Sequence, residues 1–312
     1  MSKLSMGTYL GDFSDEDSSK YRESIEYGLL RGIRHIDTAV NYRGMRSERD
    51  IGQVLPRLID EGVLRREDVI ISTKAGFIPG DGELMFKPVD YLQAKFIDTG
   101  ILTMEDIDIN EGLRLTLNPS FYDYAIQLSL DHMKIDYIDV HYIHEPELKK
   151  EMIGDEAFYA SLKPLFEFYE KKVAEGVIKT YGMATWHCFE LDEDHPRHIS
   201  LERVIKQARA VNPHHAFRHI MLPFNKVMNQ AATKKTQTIE GQAYTALEAA
   251  KKLGLVVSTS GSINRGQDID KAIEDHIQYN ISQEEVDIMI IGMKQVDHMK
   301  ENMSIFNRLS GK

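Results

Sequence analysis

Eight times along the chain a short run rich in β-branched residues is followed by a longer segment of helical period, and that alternation leaves few folds open. The runs predicted to be strands are Leu4 to Tyr9, Ile33 to Asp37, Val69 to Lys74, Tyr137 to Ile143, Ile178 to Ala184, His219 to Pro223, Leu255 to Ser260 and Val286 to Ile291. Helices are predicted near Ser18 to Leu30, Ser47 to Asp60, Ser120 to Met133, Phe158 to Glu175, Leu201 to Ala210, Ile239 to Leu253, Ile269 to Gln278 and Val296 to Leu309. Eight strand–helix pairs are the count of a (β/α)8 TIM barrel, and 312 residues suit that fold as one α/β domain spanning 1–312. A doubly wound sheet is the competitor. It finds no support, because no G-x-G-x-x-G follows the first strand and the Gly80-Asp81-Gly82 segment lacks the Lys-Ser/Thr of a P-loop.

Local signals mark some boundaries. Ser47, with Asp50 three residues on, reads as a helix cap, and Gly254 falls where a helix would end in a left-handed residue. One connection breaks the rhythm: the third βα loop, about 75–118, shows no clear strand, and loops this long are commonly lids or binding loops.

The formal charge of -11 disfavours an extended phosphate-binding face, so nucleic acid is not an expected partner. Cys188 is the one cysteine, which rules out an intrachain disulfide and a thiolate cluster; no apolar run is long enough to span a bilayer. A cytoplasmic location and no membrane partner are the expectation.

In a barrel the reactive groups belong at the carboxyl ends of the strands. IRHID ends in Asp37 with Tyr42 just beyond it, VIISTK ends in Lys74, and YIDVHYIH ends in His144. Residues two apart share a strand face, so Lys74 follows Ser72, while His141 and His144 face opposite ways and are poor joint metal ligands. His214, His215 and His219 offer a zinc-like spacing, but Pro213 interrupts any helix that would carry it, so no metal is expected. An aspartate, a tyrosine, a lysine and a histidine together can deliver a proton. A free phenol titrates at about 10; a charged Lys74 beside Tyr42 is expected to lower that value, with Asp37 holding the lysine and His144 bonding the substrate oxygen.

LSMGTYLG, RHIDTAVNYRGMRSERDIG, DVIISTK, IDYIDVHYIH, EGVIKTYGMAT and GMKQVDHMKEN resemble, in order, the motif series of the aldo-keto reductase superfamily. GMATW and LPFN resemble a particular branch of it. The resemblance implies Asp37, Tyr42, Lys74 and His144 as a catalytic tetrad, with Tyr42 the general acid to a carbonyl that takes hydride from NADP(H), NAD(H) being the less favoured cofactor. It implies cofactor contacts at Gly7, Thr8 and Asp37, at Ser260, Gly261, Ser262, Asn264 and Gly266 around the pyrophosphate, and at Gly292, Met293, Lys294, His298, Glu301 and Asn302 at the adenosine end. Lys294 and His298 fall where the 2′-phosphate is met. Where the family has Ser-Asn, Gln and an aromatic residue around the nicotinamide, this chain has Ala184-Thr185, Met221 and Thr259. Phe77 and Trp186, with Tyr91 and Phe96, are expected either to form an aromatic substrate wall or to pack the long loop onto the barrel. The partner implied is a small-molecule carbonyl or alcohol, bound by a monomer or a homo-oligomer. Two alternatives are a cofactor-binding regulatory protein on the same fold and a Lys74 Schiff-base lyase or isomerase.

Overall fold

The computed structural model describes residues 3–84, 87–110, 112–264 and 272–311. Among these, eight parallel strands close into a barrel: β1 Leu4–Gly7, β2 His35–Asp37, β3 Ile70–Ala75, β4 Ile138–His144, β5 Ile178–Ala184, β6 Phe217–Pro223, β7 Val256–Ser260 and β8 Ile288–Gly292. Each strand pairs with its sequence neighbours and β8 returns to β1, which is the (β/α)8 TIM-barrel order.

Strands enclosed on both faces carry apolar residues on both. Along β4, Ile143 points out into the main core under the helices, whereas Val140 and Tyr142 point in and join Ala184, Met221 and Ile290 in a separate cluster inside the barrel. Around the barrel run α1 Asp15–Leu30, α2 Arg46–Asp60, α3 Pro119–Met133, α4 Asp155–Ala174, α5 Leu201–Val211, α6 Ala246–Lys252, α7 Ala272–Ser282 and α8 Val296–Leu309. None of the described helices is long and apolar enough to cross a membrane.

Close approach of α2 to α3 depends on one missing side chain. A β-carbon added to Gly52 would lie 1.9 Å from the His132 carbonyl oxygen. Glycine to alanine inside a helix ordinarily stabilises by about 1 kcal/mol. Here the clash is with backbone that cannot swing aside, so Gly52→Ala is expected to destabilise the fold by roughly 1–3 kcal/mol, measurable by urea denaturation.

Several local readings are corrected. Ser47 does not cap α2: it lies inside the helix and donates to the Thr8 carbonyl (2.8 Å), while Asp50 binds Arg43 (2.7 Å) and Arg22 (3.1 Å). α1 begins earlier than expected because Ser14 accepts from the Asp17 amide. Ile239 to Leu253 is not one helix. Lys235–Ile239 and Gln242–Thr245 pair as a hairpin through Glu240-Gly241, both at positive φ, and α6 starts only after the Thr245–Glu248 capping box. Gly254 does end α6, with φ +71°. The third βα loop has structure of its own: helical turns at Pro88–Leu92 and Gln93–Ile97, then a hairpin of Asp108–Asn110 and Leu113–Leu115 whose Leu115 bridges to Phe77. The expected start of the seventh helix at Ile269 lies outside the described residues.

Candidate active site

The carboxyl ends of the strands surround a cavity of about 1200 Å³. β2 and β3 lie side by side, with Asp37 opposite Ser72 in register, so Asp37 and Lys74 meet inside the barrel mouth. The Lys74 ammonium donates to Asp37 Oδ2 (2.6 Å) and to the Thr38 carbonyl (2.7 Å), and the lysine is only 1% exposed. Burial pushes the Asp37 carboxyl up and the Lys74 ammonium down; their mutual contact opposes both shifts. Lys74 Nζ also stands 4.7 Å from the centre of the Tyr42 ring, and Tyr42 lies edge-on to His144 at 5.9 Å.

Tyr42 corrects one expectation. Its phenol sits well above the ordinary value, chiefly because the surrounding protein encloses it and then because Asp37 and Glu145 are negative. Two of the three ammonium protons of Lys74 are engaged by Asp37 and Thr38, and in the resting site enclosure outweighs the pull of the lysine on the phenol. His144 is pushed well below the usual imidazole range by burial and then by Lys74, which leaves it neutral with one N–H to donate. Its Nδ1 has no hydrogen-bond partner among the described residues, and its Nε2 is 4.0 Å from Glu145 Oε1. His141 faces the outside of the barrel and bonds Tyr169 (2.8 Å). His219 sits within β6 while His215 precedes that strand, so the three histidines share no helix.

The structure brings most of the remaining candidates to the same cavity: Gly7, Thr8, Ala184, Thr185, Met221, Ser260, Gly261, Ser262, Gly292, His298, Glu301 and Asn302, with Phe77 and Trp186. Phe77 touches His144 edge-on at 4.9 Å. Tyr91 and Phe96 do not line it; Phe96 instead packs on Phe121 and Tyr124 of α3. Thr259 faces away and bonds Asn280 (2.8 Å). Asn264, at φ +49°, and the fully buried Met293 do not line the cavity, and Gly266 lies outside the described residues. Lys294 is also off the wall, held bidentately by Asp17 at 2.9 and 2.8 Å. Sequence reasoning missed Tyr9, Asn41, Arg114, Glu145, Glu274 and Arg308, all of which line the cavity. Glu145 had a signal, since it directly follows His144; Arg114 had none, because its position depends on a hairpin hidden in the long loop.

A barrel whose strand ends bury an Asp–Lys pair beside a tyrosine and a histidine, in the wall of a large cavity, defines a TIM-barrel protein with four titratable side chains gathered at its mouth. The sequence profile of the Aldo/keto reductase family matches residues 3–219, more than half of the chain, and the protein belongs to that family. Aldose reductase of Encephalitozoon cuniculi is 42% identical over 65 residues, 21% of each chain. A horse aldo-keto reductase family 1 member C23-like protein is 24% identical over 201 residues, 61% of this chain and 48% of its own. The matched segments thus span half or less of these curated relatives. Among solved structures, aldo-keto reductase AKR11C1 of Bacillus halodurans in its holo form superposes with a TM-score of 0.64 at 19% identity, covering 97% of this chain and 86% of that one. A Klebsiella pneumoniae aldo/keto reductase in complex with NADP and acetate gives 0.60 at 16% identity, covering 98% and 86%. At these identities the likeness is one of fold.

Proposed function

We propose that the protein is an NADP(H)-dependent oxidoreductase that reduces an aldehyde or ketone to an alcohol, or runs the reverse, with Tyr42 as the general acid. The observation that carries this is the buried Asp37–Lys74 pair set against the Tyr42 ring in a cavity that α8 also lines, from His298 to Arg308. Relatives of the same fold have been solved with NADP or NADPH bound.

The residues present suit such a cofactor. A volume of about 1200 Å³ exceeds that of a typical small-ligand pocket and leaves room for a dinucleotide beside a substrate. At its far end Asn302, 3% exposed, lines the cavity with a side-chain amide that bonds no described residue, a buried polar group suited to adenine. Gly7 keeps the floor close, since a β-carbon there would meet Ile290 at 2.9 Å. Ser260, Gly261 and Ser262 bring small side chains to the wall where a pyrophosphate would lie. Thr185 Oγ1 donates to the Met221 carbonyl (3.0 Å) and meets the Cys188 thiol, which leaves one lone pair to accept from a carboxamide.

The nicotinamide, when bound, supplies the hydride. The chain's part is to handle the oxygen. Tyr42, kept protonated by its raised pKa, hands a proton to the carbonyl oxygen while His144 donates a second hydrogen bond to it. A phenol above its ordinary pKa is a weak acid unless the phenolate it leaves is stabilised, and the ammonium of Lys74 beside the ring performs that task. Its ammonium form also disfavours the Schiff-base alternative, which needs a free amine. A screen of NADPH oxidation against neutral aldehydes tests this reading; no turnover with any of them contradicts it.

The nucleotide end carries its own expectation. A free lysine on a phosphate is worth about 1.5–3 kcal/mol, or more than tenfold in affinity. Because Asp17 already holds Lys294, Lys294→Met is expected to weaken NADPH binding by less than about threefold in a fluorescence titration; a tenfold loss would show that the ion pair opens for the cofactor.

A further inference from the structure

Below the ion pair the barrel interior holds a line of polar side chains that the proposed reaction leaves without a role. The strand period puts His35 one pleat beneath Asp37 on β2 and Ser72 one pleat beneath Lys74 on β3. Ser72 Oγ lies 2.7 Å from Asp37 Oδ1 and 2.9 Å from His35 Nε2. All three are buried, at 4%, 0% and 4% exposure for His35, Ser72 and Asp37.

The proton count along this line has one solution. An ionised carboxylate only accepts, so the single hydroxyl proton of Ser72 goes to Asp37, and Ser72 must then accept from an N–H on His35 Nε2. The Nδ1 of His35 correspondingly carries no proton and has no described partner. That tautomer belongs to a neutral ring, in keeping with burial and the Lys74 charge pushing His35 down to about 4.

We propose that His35 and Ser72 are positioning residues: His35 locks the Ser72 hydroxyl toward Asp37, and that bond keeps Asp37 ionised and aimed at Lys74. This rests on the reading that the Asp37–Lys74 pair supports Tyr42. The groups that face Asp37 are Lys74 and Ser72 from β3, Tyr42 from the loop after β2 and Tyr142 from β4. His35 feels Lys74 and Asp139, and it in turn acts on His219 from β6. Of these only Lys74 and Ser72 favour the Asp37 carboxylate, so loss of the Ser72 donor has no substitute.

The test follows the Asp37 carboxyl directly. Protein with ¹³C-labelled aspartate carboxyls is titrated by NMR, the Asp37 signal being assigned by its loss in Asp37→Asn, alongside the pH profile of kcat. Ser72→Ala is expected to raise the Asp37 midpoint by about one pH unit, because the ionised form loses a donor, and His35→Phe is expected to raise it by less, because the Ser72 hydroxyl stays but is no longer held toward Asp37. The acid limb of kcat should move up with it, since activity is lost as pH falls through that midpoint. Ser72→Thr, which keeps the hydroxyl, should stay within about 0.3 unit of the parent. An unmoved Asp37 midpoint in Ser72→Ala, or a kcat that falls equally at all pH values, would overturn the proposal. Absence of carbonyl turnover in the parent protein would instead overturn the functional reading, and the carboxyl titration would still decide the role of His35 and Ser72.

Discussion

Tyr42→Phe is expected to lower kcat for any aldehyde the protein accepts by roughly 10²- to 10⁴-fold, while NADPH affinity stays within about twofold. The substitution removes one oxygen and little volume, and the Tyr42 hydroxyl makes no hydrogen bond to a described residue that its loss would break. The ring keeps its edge contacts with Tyr9 and His144. Folding should therefore be unaffected, and the loss should fall on the step in which the carbonyl oxygen takes its proton. Near-normal kcat in this variant would remove Tyr42 from the mechanism.

Lys74→Met is expected to have the second large effect, on two readouts at once. Removing one partner of a buried ion pair leaves the other uncompensated and costs about 3–5 kcal/mol of stability, visible as a lower urea midpoint. The same change removes the cation beside the Tyr42 ring, so kcat should fall by at least about 10²-fold. The two effects can be separated by pH and by a second substitution. Without Lys74, burial raises the folded-state pKa of Asp37 well above its unfolded value of about 3.9. A carboxyl so raised favours the folded state below the unfolded pKa and loses that contribution as pH rises through the folded one. The stability deficit of Lys74→Met should thus be greatest at neutral pH and shrink toward pH 4. Adding Asp37→Leu, which removes the stranded carboxyl, should restore much of the stability and none of the activity. Recovery of activity with stability would mean the pair serves the fold alone.

The placement of Asp37, Lys74 and His144 was legible because strand period and strand ends are local properties. Runs such as VIISTK and YIDVHYIH mark strands by composition, and the last inward residue of each falls at the mouth of the barrel. What stayed hidden was set by tertiary contact. Nothing near Lys294 announces that Asp17, far away in sequence, will hold it, and nothing near Ser47 announces the Thr8 carbonyl. The raised phenol of Tyr42 follows from enclosure and from the nearness of the negative Asp37 and Glu145, neither of which is written in the order of residues. The Lys235–Thr245 hairpin was overlooked for a different reason. The alternation of Thr-Gln-Thr-Ile and Gln-Ala-Tyr-Thr around Glu240-Gly241 is a local hairpin signal, masked by the helix-forming run that follows.

The central claim is that hydride passes directly from the nicotinamide to a carbonyl carbon at the site of Tyr42. Turnover of a reactive aromatic aldehyde with NADPH carrying deuterium at both C4 positions, followed by mass spectrometry of the product, tests it most directly. The account predicts an alcohol with one deuterium on the carbinol carbon, formed at a rate that collapses in Tyr42→Phe. Tight NADPH binding with no alcohol formed, or an alcohol free of label, would contradict it.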